Sequence, residues 1–566
     1  MPEPPAAQRT PVARGPMEAL RAAVLAASEA LLAGGAGAGG DATHGGVTLE
    51  RPKRAEFGDY STNAAMLLAG RVGRAPREIA EQLGAVLRER LGEDLLRYDV
   101  AGPGFVNLFM SDGWCRRALA EALNAGREFG SGGAERPERV LVEFVSANPT
   151  GPMHVGHARN AAYGDALARM LAFHGHRVER EFYVNDAGSQ IVKFGESISA
   201  LAQGRPVPQD GYQGDYIAEL AQAIPGAAGM PAAEVGKAGV ELMLERTRES
   251  LTAFRVIDFD HWQLESVLHE GSPSLVEHTL EILAEQGHSY ESEGALWLRT
   301  TDFGDDKDRV LVRSSGEHTY FASDIAYHQD KRERGFQRQI DVWGADHHGY
   351  IGRMKAAYEA LGGDPAELEL LIMQLVHLVR SGERAQMSKR AGEFVSLDEL
   401  VEEIGVDAAR WYLLARSHDT TLDLDLDQAR EQSSENPVYY VQYAHARIAS
   451  MLERAGEARV DEALAFAGIA GAGDEHDLHP SERALVLALL GFPGLVAEAV
   501  ARRAPHRIAA QALELAQGFT AFYRDCRVVG AESPDVESFR IALCVAAMST
   551  IARSLDLLGV TAPDRM

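Results

Sequence analysis

The stretch Glu143-Phe-Val-Ser-Ala-Asn-Pro-Thr-Gly-Pro-Met-His-Val-Gly-His-Ala-Arg-Asn160 decides how this chain is read. Its start continues an apolar run, 140–145, that predicts a buried strand ending at Ser146. A Pro/Gly turn follows, and a helix is predicted to begin near His157. Strand, turn and helix in that order are a building block of parallel sheets, which bind ligands at the carboxyl ends of their strands. A helix amino terminus adds free N–H groups and positive potential, a ready anion site. His154 and His157 are three apart and can face one ligand. Gly156 lets a base or phosphate approach the backbone. The set suits in-line attack on the α-phosphate of a nucleotide, with imidazoles donating hydrogen bonds to the charge that develops. One such donor is worth about 3–4 kcal/mol. Two capping histidines at a surface are the bland alternative. The strand, turn and glycine around them favour nucleotide chemistry.

Outward from this stretch, apolar segments at 295–298, 310–313, 340–343 and 371–378 alternate with helical patterns such as 157–173 and 350–361. That alternation predicts a Rossmann-like, doubly wound parallel sheet. From about 398 the pattern turns helical, over 398–416, 434–456, 480–503, 505–526 and 536–558, and predicts an all-α bundle. Upstream lie a helical pattern at 17–33, a Gly/Ala-rich connector at 34–46, and a mixed region closing with Gly-Pro-Gly-Phe-Val-Asn-Leu-Phe (102–109). Residues 126–138 read as a linker. The expected fold class is an α/β Rossmann-like catalytic domain with a parallel sheet, a small α+β amino-terminal domain and a carboxy-terminal all-α helical bundle. The expected divisions are a loose, disordered tail at 1–16, a first domain at 17–113, a catalytic domain at 114–430 and a helical domain at 431–566.

The 566 residues suit several domains, and 46% apolar with 25% charged residues is an ordinary globular balance. A net charge of −27 excludes a generic polycation that coats nucleic acid, so any RNA contact must use local basic patches. The three cysteines, Cys115, Cys526 and Cys544, form no CxxC pair, which argues against a disulfide framework or structural zinc and fits a reducing, cytoplasmic setting. No run of about 18 uncharged apolar residues is present, so no membrane span is expected.

A second polar segment, Ser381-Gly-Glu-Arg-Ala-Gln-Met387-Ser388-Lys389-Arg390-Ala-Gly392, follows the apolar run 371–379 and precedes a helix. Alone it reads as a solvated basic loop. On the same rim as His154, its Lys supplies a point charge and its Ser a hydroxyl for a leaving pyrophosphate. Asp346-His347-His348-Gly349 lacks a third spaced ligand, so no metal site is expected there. Asp423-Leu-Asp-Leu-Asp427 departs from a calcium loop, with Gln428 and Ser434 where Gly and Glu belong, and reads as a surface strand or junction. No GxxxxGK[ST] loop occurs.

His154-Val-Gly-His157 resembles the HIGH motif of class I aminoacyl-tRNA synthetases. Gln386-Met-Ser-Lys-Arg390 resembles their KMSKS loop, with Gln386 and Arg390 in place of the first Lys and last Ser. Further words narrow the resemblance to arginyl-tRNA synthetases: residues 143–152, Trp-Gly-Ala-Asp-His-His-Gly-Tyr (343–350), residues 385–392, Asn-Pro-Val-Tyr-Tyr-Val-Gln-Tyr-Ala-His-Ala-Arg (436–447) and the ending 558–566. The resemblance covers nearly everything after Met17. It implies an arginine–tRNA ligase that makes arginyl-adenylate from arginine and ATP and transfers the arginyl group to the 3′ end of tRNA(Arg). The implied partners are tRNA(Arg), L-arginine and ATP with Mg2+ on its phosphates. A monomer, an insertion near 200–250 and a tRNA requirement for activation are also implied. Rival readings are a class I synthetase for another amino acid, a non-catalytic RNA-binding paralogue and, more remotely, a small-molecule nucleotidyltransferase.

The resemblance also assigns residues. His154, His157, Ser388 and Lys389 are the implied catalytic set. Pro152, Gly156, His157, Asp346, His347, His348, Met387 and Lys389 line the ATP. Glu143, Ser146, Asn148, His154, Tyr320, Asp324 and Asp346 hold arginine. A planar guanidinium wants forked carboxylates, and Glu143 inside an apolar strand is costly unless paired. An exposed edge Glu and an N-capping Asp324 are the plain alternatives. For RNA, Tyr439, Tyr443 and Arg447 share a helix face suited to unpaired bases, although an aromatic core stripe often has this spacing. Phe105 and Asn107 are implied contacts to the D-loop, with Lys53 and Arg54 as phosphate contacts. Arg502-Arg503 and Arg507 form a second basic cluster that also fits a helix-terminal charge cap.

Overall fold

The computed structural model describes residues 16–33, 46–52, 54–384, 395–467 and 477–566. At its centre is a five-stranded sheet, ordered Leu368–Met373, Arg338–Gly344, Arg139–Glu143, Arg177–Val184, His261–Leu264, with every neighbouring pair parallel. The strand Arg139–Glu143 is followed on one side by Arg177–Val184 and on the other by Arg338–Gly344, reached only after the chain has crossed the sheet. Between those two lies the switch point where doubly wound sheets open a ligand crevice. Glu143 and Gly344 stand at its two carboxyl-end lips.

The predicted strands at 295–298 and 310–313 lie elsewhere. With Ser289–Ser292 they form a separate antiparallel sheet. Two-residue Gly turns (Glu293-Gly294) allow such hairpins, which a single apolar run cannot distinguish from a parallel strand. The predicted run 371–378 is also two strands. Leu368–Met373 ends the main sheet, and Val376–Arg380 pairs in parallel with Leu422–Asp425 in a third sheet. Gln374 and Leu375 turn the chain between them. Arg177–Val184 and His261–Leu264 escaped the sequence reading because their charged and polar residues break the apolar run. The Asp423–Asp427 stretch is a strand-to-helix junction, where Asp425 caps the helix Leu426–Arg430 through the amides of Asp427 and Gln428.

The amino-terminal segment packs the helices Pro16–Ala33, Ala64–Val72 and Pro76–Leu91 against a four-stranded antiparallel sheet. The carboxy-terminal part is a helical bundle. Its predicted helix 480–503 is two, Pro480–Leu490 and Phe492–Ala501, meeting at Gly491 with Pro493 in the next first turn. Two stretches, Pro480–Ala501 and Pro534–Leu557, are apolar and long enough to cross a bilayer, a feature missed in the sequence. More than half of each window is buried in the bundle, as expected of core helices.

Charged side chains join the parts. Arg483 of the bundle meets Asp59 and Asp112 at 2.5 Å each. Arg503 makes a forked pair with Glu369 at 2.8 Å per bond, and Arg502 and Arg507 pair with Glu498. The second basic cluster is therefore spent on domain contacts and a local ion pair.

Candidate active site

The strand ends at Glu143, three residues earlier than expected, because the backbone turns left-handed at Val145 (φ 69°) and Ser146 (φ 39°). Positive φ is costly for a β-branched residue and tends to persist only where the surroundings enforce it. Here Asn160, on the following helix, accepts the Val145 N–H at 2.8 Å and donates to the Val342 carbonyl at 2.8 Å. Both lips of the crevice are thus fastened to one amide.

The turn leads to the helix Val155–His174, which begins two residues before His157. His154 is its N-cap. The Nδ1 of His154 accepts the Gly156 N–H at 3.1 Å, and the Nδ1 of His157 accepts the His154 N–H at 3.3 Å. The rings stack 3.7 Å apart. Both histidines therefore cap the helix, as the plain alternative held. With both Nδ1 atoms accepting, the proton of each neutral ring sits on Nε2. Burial lowers the His154 imidazole, and burial with the neighbouring His154 pushes His157 down to about 3, so both stay neutral. Gly156 has a further use: a Cβ there would lie 2.9 Å from the His154 ring.

Glu143 is not an exposed edge residue. Its Oε2 accepts Lys331 Nζ at 2.5 Å and its Oε1 accepts the Ser146 hydroxyl at 2.8 Å. Lys331 also reaches Asp341 at 2.8 Å, and His328 Nε2 meets the other Asp341 oxygen at 2.7 Å. Lys331 and Asp341 are fully buried. Burial opposes the Lys331 charge, but Asp341 and Glu143 outweigh it and raise the ammonium. Burial would likewise raise Asp341, yet Lys331 and His328 hold it at about 2. One ammonium thus serves two buried carboxyls.

Ser146 continues the network by accepting the Tyr183 N–H at 3.1 Å, and the Tyr183 hydroxyl bonds to the buried Glu265. Burial and the neighbouring Asp324 push the Glu265 carboxyl up to about 7. Asp324 accepts the Tyr350 hydroxyl at 2.6 Å and is itself raised by burial. Asp324 does not cap its helix. Thr319 does, through the Ala322 N–H, and Asp324 lies in the second turn of Tyr320–Glu333. Among the described residues neither Asp324 nor Glu265 has a cationic partner in an ion pair.

Tyr320 is exposed at the first position of that helix, one turn before Asp324. Asn148 and Pro152 are exposed on the motif turn. Asp346, His347 and His348 are exposed in the short helix Ala345–Tyr350, directly beyond the Gly344 lip, with Asp346 3.1 Å from His347 Nδ1. Met387, Ser388, Lys389 and the rest of 385–394 lie outside the described residues, as does Lys53. The chain re-enters beside the histidines: Val155 N–H donates to Val395 O at 3.0 Å, Leu397 N–H to Met153 O at 2.8 Å, and His154 pairs with Ser396.

Lys331, Asp341 and Glu265 were missed in the sequence. A signal existed for the first. Asp324, Tyr327, His328 and Lys331 recur at i, i+3, i+4 and i+7, a polar stripe where a buried helix ordinarily carries an apolar one.

Farther away, Phe105 is 37% exposed at the start of its strand, whereas Asn107 is buried and accepts the Ser61 hydroxyl at 2.7 Å. Tyr439 and Tyr443 stack nearly parallel at 6.2 Å, and the Arg447 guanidinium lies 4.7 Å from the Tyr443 ring. Tyr443 is exposed, so this face is not a core stripe. Tyr440 bonds Thr520, and Val441 is buried.

Three family models match in sequence: an arginyl tRNA synthetase N terminal domain over 18–110, the catalytic domain of class I (R) tRNA synthetases over 118–209 and 245–451, and a DALR anticodon binding domain over 441–566. The chain is 44% identical over 538 residues to the arginine–tRNA ligase of Shouchella clausii and 44% over 544 to that of Bacillus subtilis, covering 92% of this chain and 94% of each relative. The solved arginyl-tRNA synthetase of Thermus thermophilus superposes with a TM-score of 0.75 at 26% identity, covering 97% of this chain and 99% of that one.

Proposed function

The chain belongs to the arginyl-tRNA synthetase family, and from that premise we propose how its residues carry the reaction. Its activity is arginine–tRNA ligation, with ATP as substrate and tRNA and arginine as partners. The observation that carries the residue assignment is that one turn at the switch point bears both neutral imidazoles and, through Ser146, a hydrogen-bonded chain to Glu143, Tyr183 and Glu265.

In this reading His154 and His157 donate from Nε2 to the α-phosphate as arginine's carboxylate attacks it, while Ser388 and Lys389 meet the departing pyrophosphate. Pro152, Gly156, Asp346, His347, His348 and Met387 flank the ATP. The arginine guanidinium lies against Glu143 and Asp324 with Tyr320 beside it. Ser146, Asn148, His154 and Asp346 serve its α-amino and carboxylate end. Glu143 and Asp341 share one ammonium and burial raises the Glu143 carboxyl, so a second cation would stabilise its ionised form. Catalysis is then placement and charge stabilisation. Mg2+ enters on the ATP phosphates. Among the described residues no three His, Cys, Asp or Glu groups are arranged for a metal, so none is assigned to it.

Tyr439, Tyr443 and Arg447 offer a stacking face for anticodon bases, and Phe105, two residues along its strand from Asn107, offers one for the D-loop. The divisions 17–113, 114–430 and 431–566, a monomeric state, a cytoplasmic site without membrane attachment, and a tRNA requirement for activation complete the proposal.

The test is ATP–pyrophosphate exchange across the twenty amino acids, with and without tRNA. Exchange with arginine alone, and only with tRNA present, is expected. Exchange with arginine lacking tRNA would discard the tRNA requirement. Exchange driven by another amino acid, or by none, would overturn the reading.

Glu265 adds a pH dependence. Its carboxyl, raised to about 7, is mostly protonated at pH 6 and ionised at pH 8. Ionised Glu265, beside Asp324, adds negative charge facing the guanidinium, so the arginine KM should fall as pH rises from 6 to 8 and then level off. The Glu265→Gln variant should flatten that profile. A flat wild-type profile, or an unchanged slope in the variant, would refute it.

A further inference from the structure

Three helices, Ser189–Ala202, Asp215–Ala223 and Ala232–Ala253, are inserted between adjacent strands of the parallel sheet. Their packing is close. A Cβ on Gly195 would fall 1.8 Å from the Ala232 carbonyl oxygen, so the first and third helices touch backbone to backbone. From the second helix, Tyr216 reaches out and donates its hydroxyl to the Thr150 carbonyl at 2.9 Å. Thr150 is buried in the turn between Asn148 and Pro152, the segment that delivers His154 to its helix. A buried carbonyl needs such a partner. Gly151 passes so near that its Cβ would lie 3.5 Å from the Tyr216 hydroxyl. The phenol, pushed up to about 12 by burial, remains a donor across working pH.

We infer that Tyr216 is a positioning residue for adenylate formation: through the Thr150 carbonyl, the inserted helices brace the turn that sets the Pro152–His154 segment. The inference rests on the function proposed above. Tyr216 touches no substrate in it and acts only on the placement of the histidines. A brace of this kind is expected to affect the rate of the chemical step more than substrate binding.

The experiment compares full-length Tyr216→Phe with Tyr212→Phe, which removes a phenol from the same insertion that makes no bond to the turn. ATP–pyrophosphate exchange with arginine and tRNA should show kcat down about ten-fold in Tyr216→Phe, the effect of one hydrogen bond, with KM values for ATP and arginine changed less than about two-fold. Its melting temperature should fall by no more than the few degrees that one unpaired buried carbonyl costs, and Tyr212→Phe should behave as wild type. An unchanged kcat, a loss shared by Tyr212→Phe, or a loss explained by unfolding of Tyr216→Phe at the assay temperature, would overturn the inference. Hydrogen exchange over 147–154 reads the brace without catalysis. Faster exchange in Tyr216→Phe supports it and unchanged exchange refutes it, even were wild type inactive with arginine, a result that counts against the functional reading alone.

Discussion

His157→Ala should lower the kcat of ATP–pyrophosphate exchange by about 10²–10³-fold, the usual cost of one preorganised donor to a developing oxyanion. The same change removes the acceptor of the His154 N–H, so a helix-capping loss of about 1 kcal/mol accompanies it. His157→Asn separates the two effects. Its side-chain oxygen can still accept from the cap, and its amide offers a donor in a different place. Near-wild-type melting with a large rate loss is expected for Asn, and a slightly lower melting temperature for Ala. Because burial holds His157 near 3, the rate defect should be constant from pH 6 to 9. A normal rate in His157→Ala would remove the histidine pair from the mechanism.

Lys331→Met should be among the most destabilising single changes in the catalytic part. The ammonium lies fully buried between Glu143 and Asp341. Without it two carboxyls face each other away from water, at a cost of about 3–5 kcal/mol and on the order of ten degrees in melting temperature. The pH dependence identifies the cause. In the native protein Asp341 is held at about 2, below the ordinary carboxyl value of 3.8, so its contribution is present above that value and fades as pH falls toward 2. In the variant the orphaned carboxyls rise and protonate, so the deficit should be largest near pH 8 and shrink toward pH 5. Melting curves at both pH values check this. An equal deficit at both would point to lost packing, and a deficit below about 1 kcal/mol would show the pair to be energetically idle.

The two predictions mark what was legible in the chain. His154, Gly156 and His157 are local: strand, turn and cap lie within twenty residues, and their spacing alone sets their geometry. Lys331 is not. It lies in a run, Asp-Lys-Arg-Glu, that reads as a solvated helix end, and only the sheet brings it 2.5 Å from Glu143. Glu265 is hidden for the same reason, because its high carboxyl value comes from burial in the fold and from Asp324 on another element. The parallel sheet was legible where strands were apolar but for one carboxylate, Glu143 in 140–145 and Asp341 in 340–343. It was not legible at Arg177–Val184, where Arg and Glu interrupt the apolar run and the buried Glu181 pairs with Arg334.

The pairing of Met153, His154 and Val155 with Val395, Ser396 and Leu397 carries a consequence for how the molecule comes into being. This seam joins stretches separated by most of the central domain, so it is a contact of high sequence separation and forms late in folding. A ribosome-bound chain that has not yet exposed Leu397 has its histidine helix but only one edge of the seam. Catalytic competence therefore cannot precede the emergence of that second edge, and chains truncated ahead of it should be inert even where the sheet has already closed.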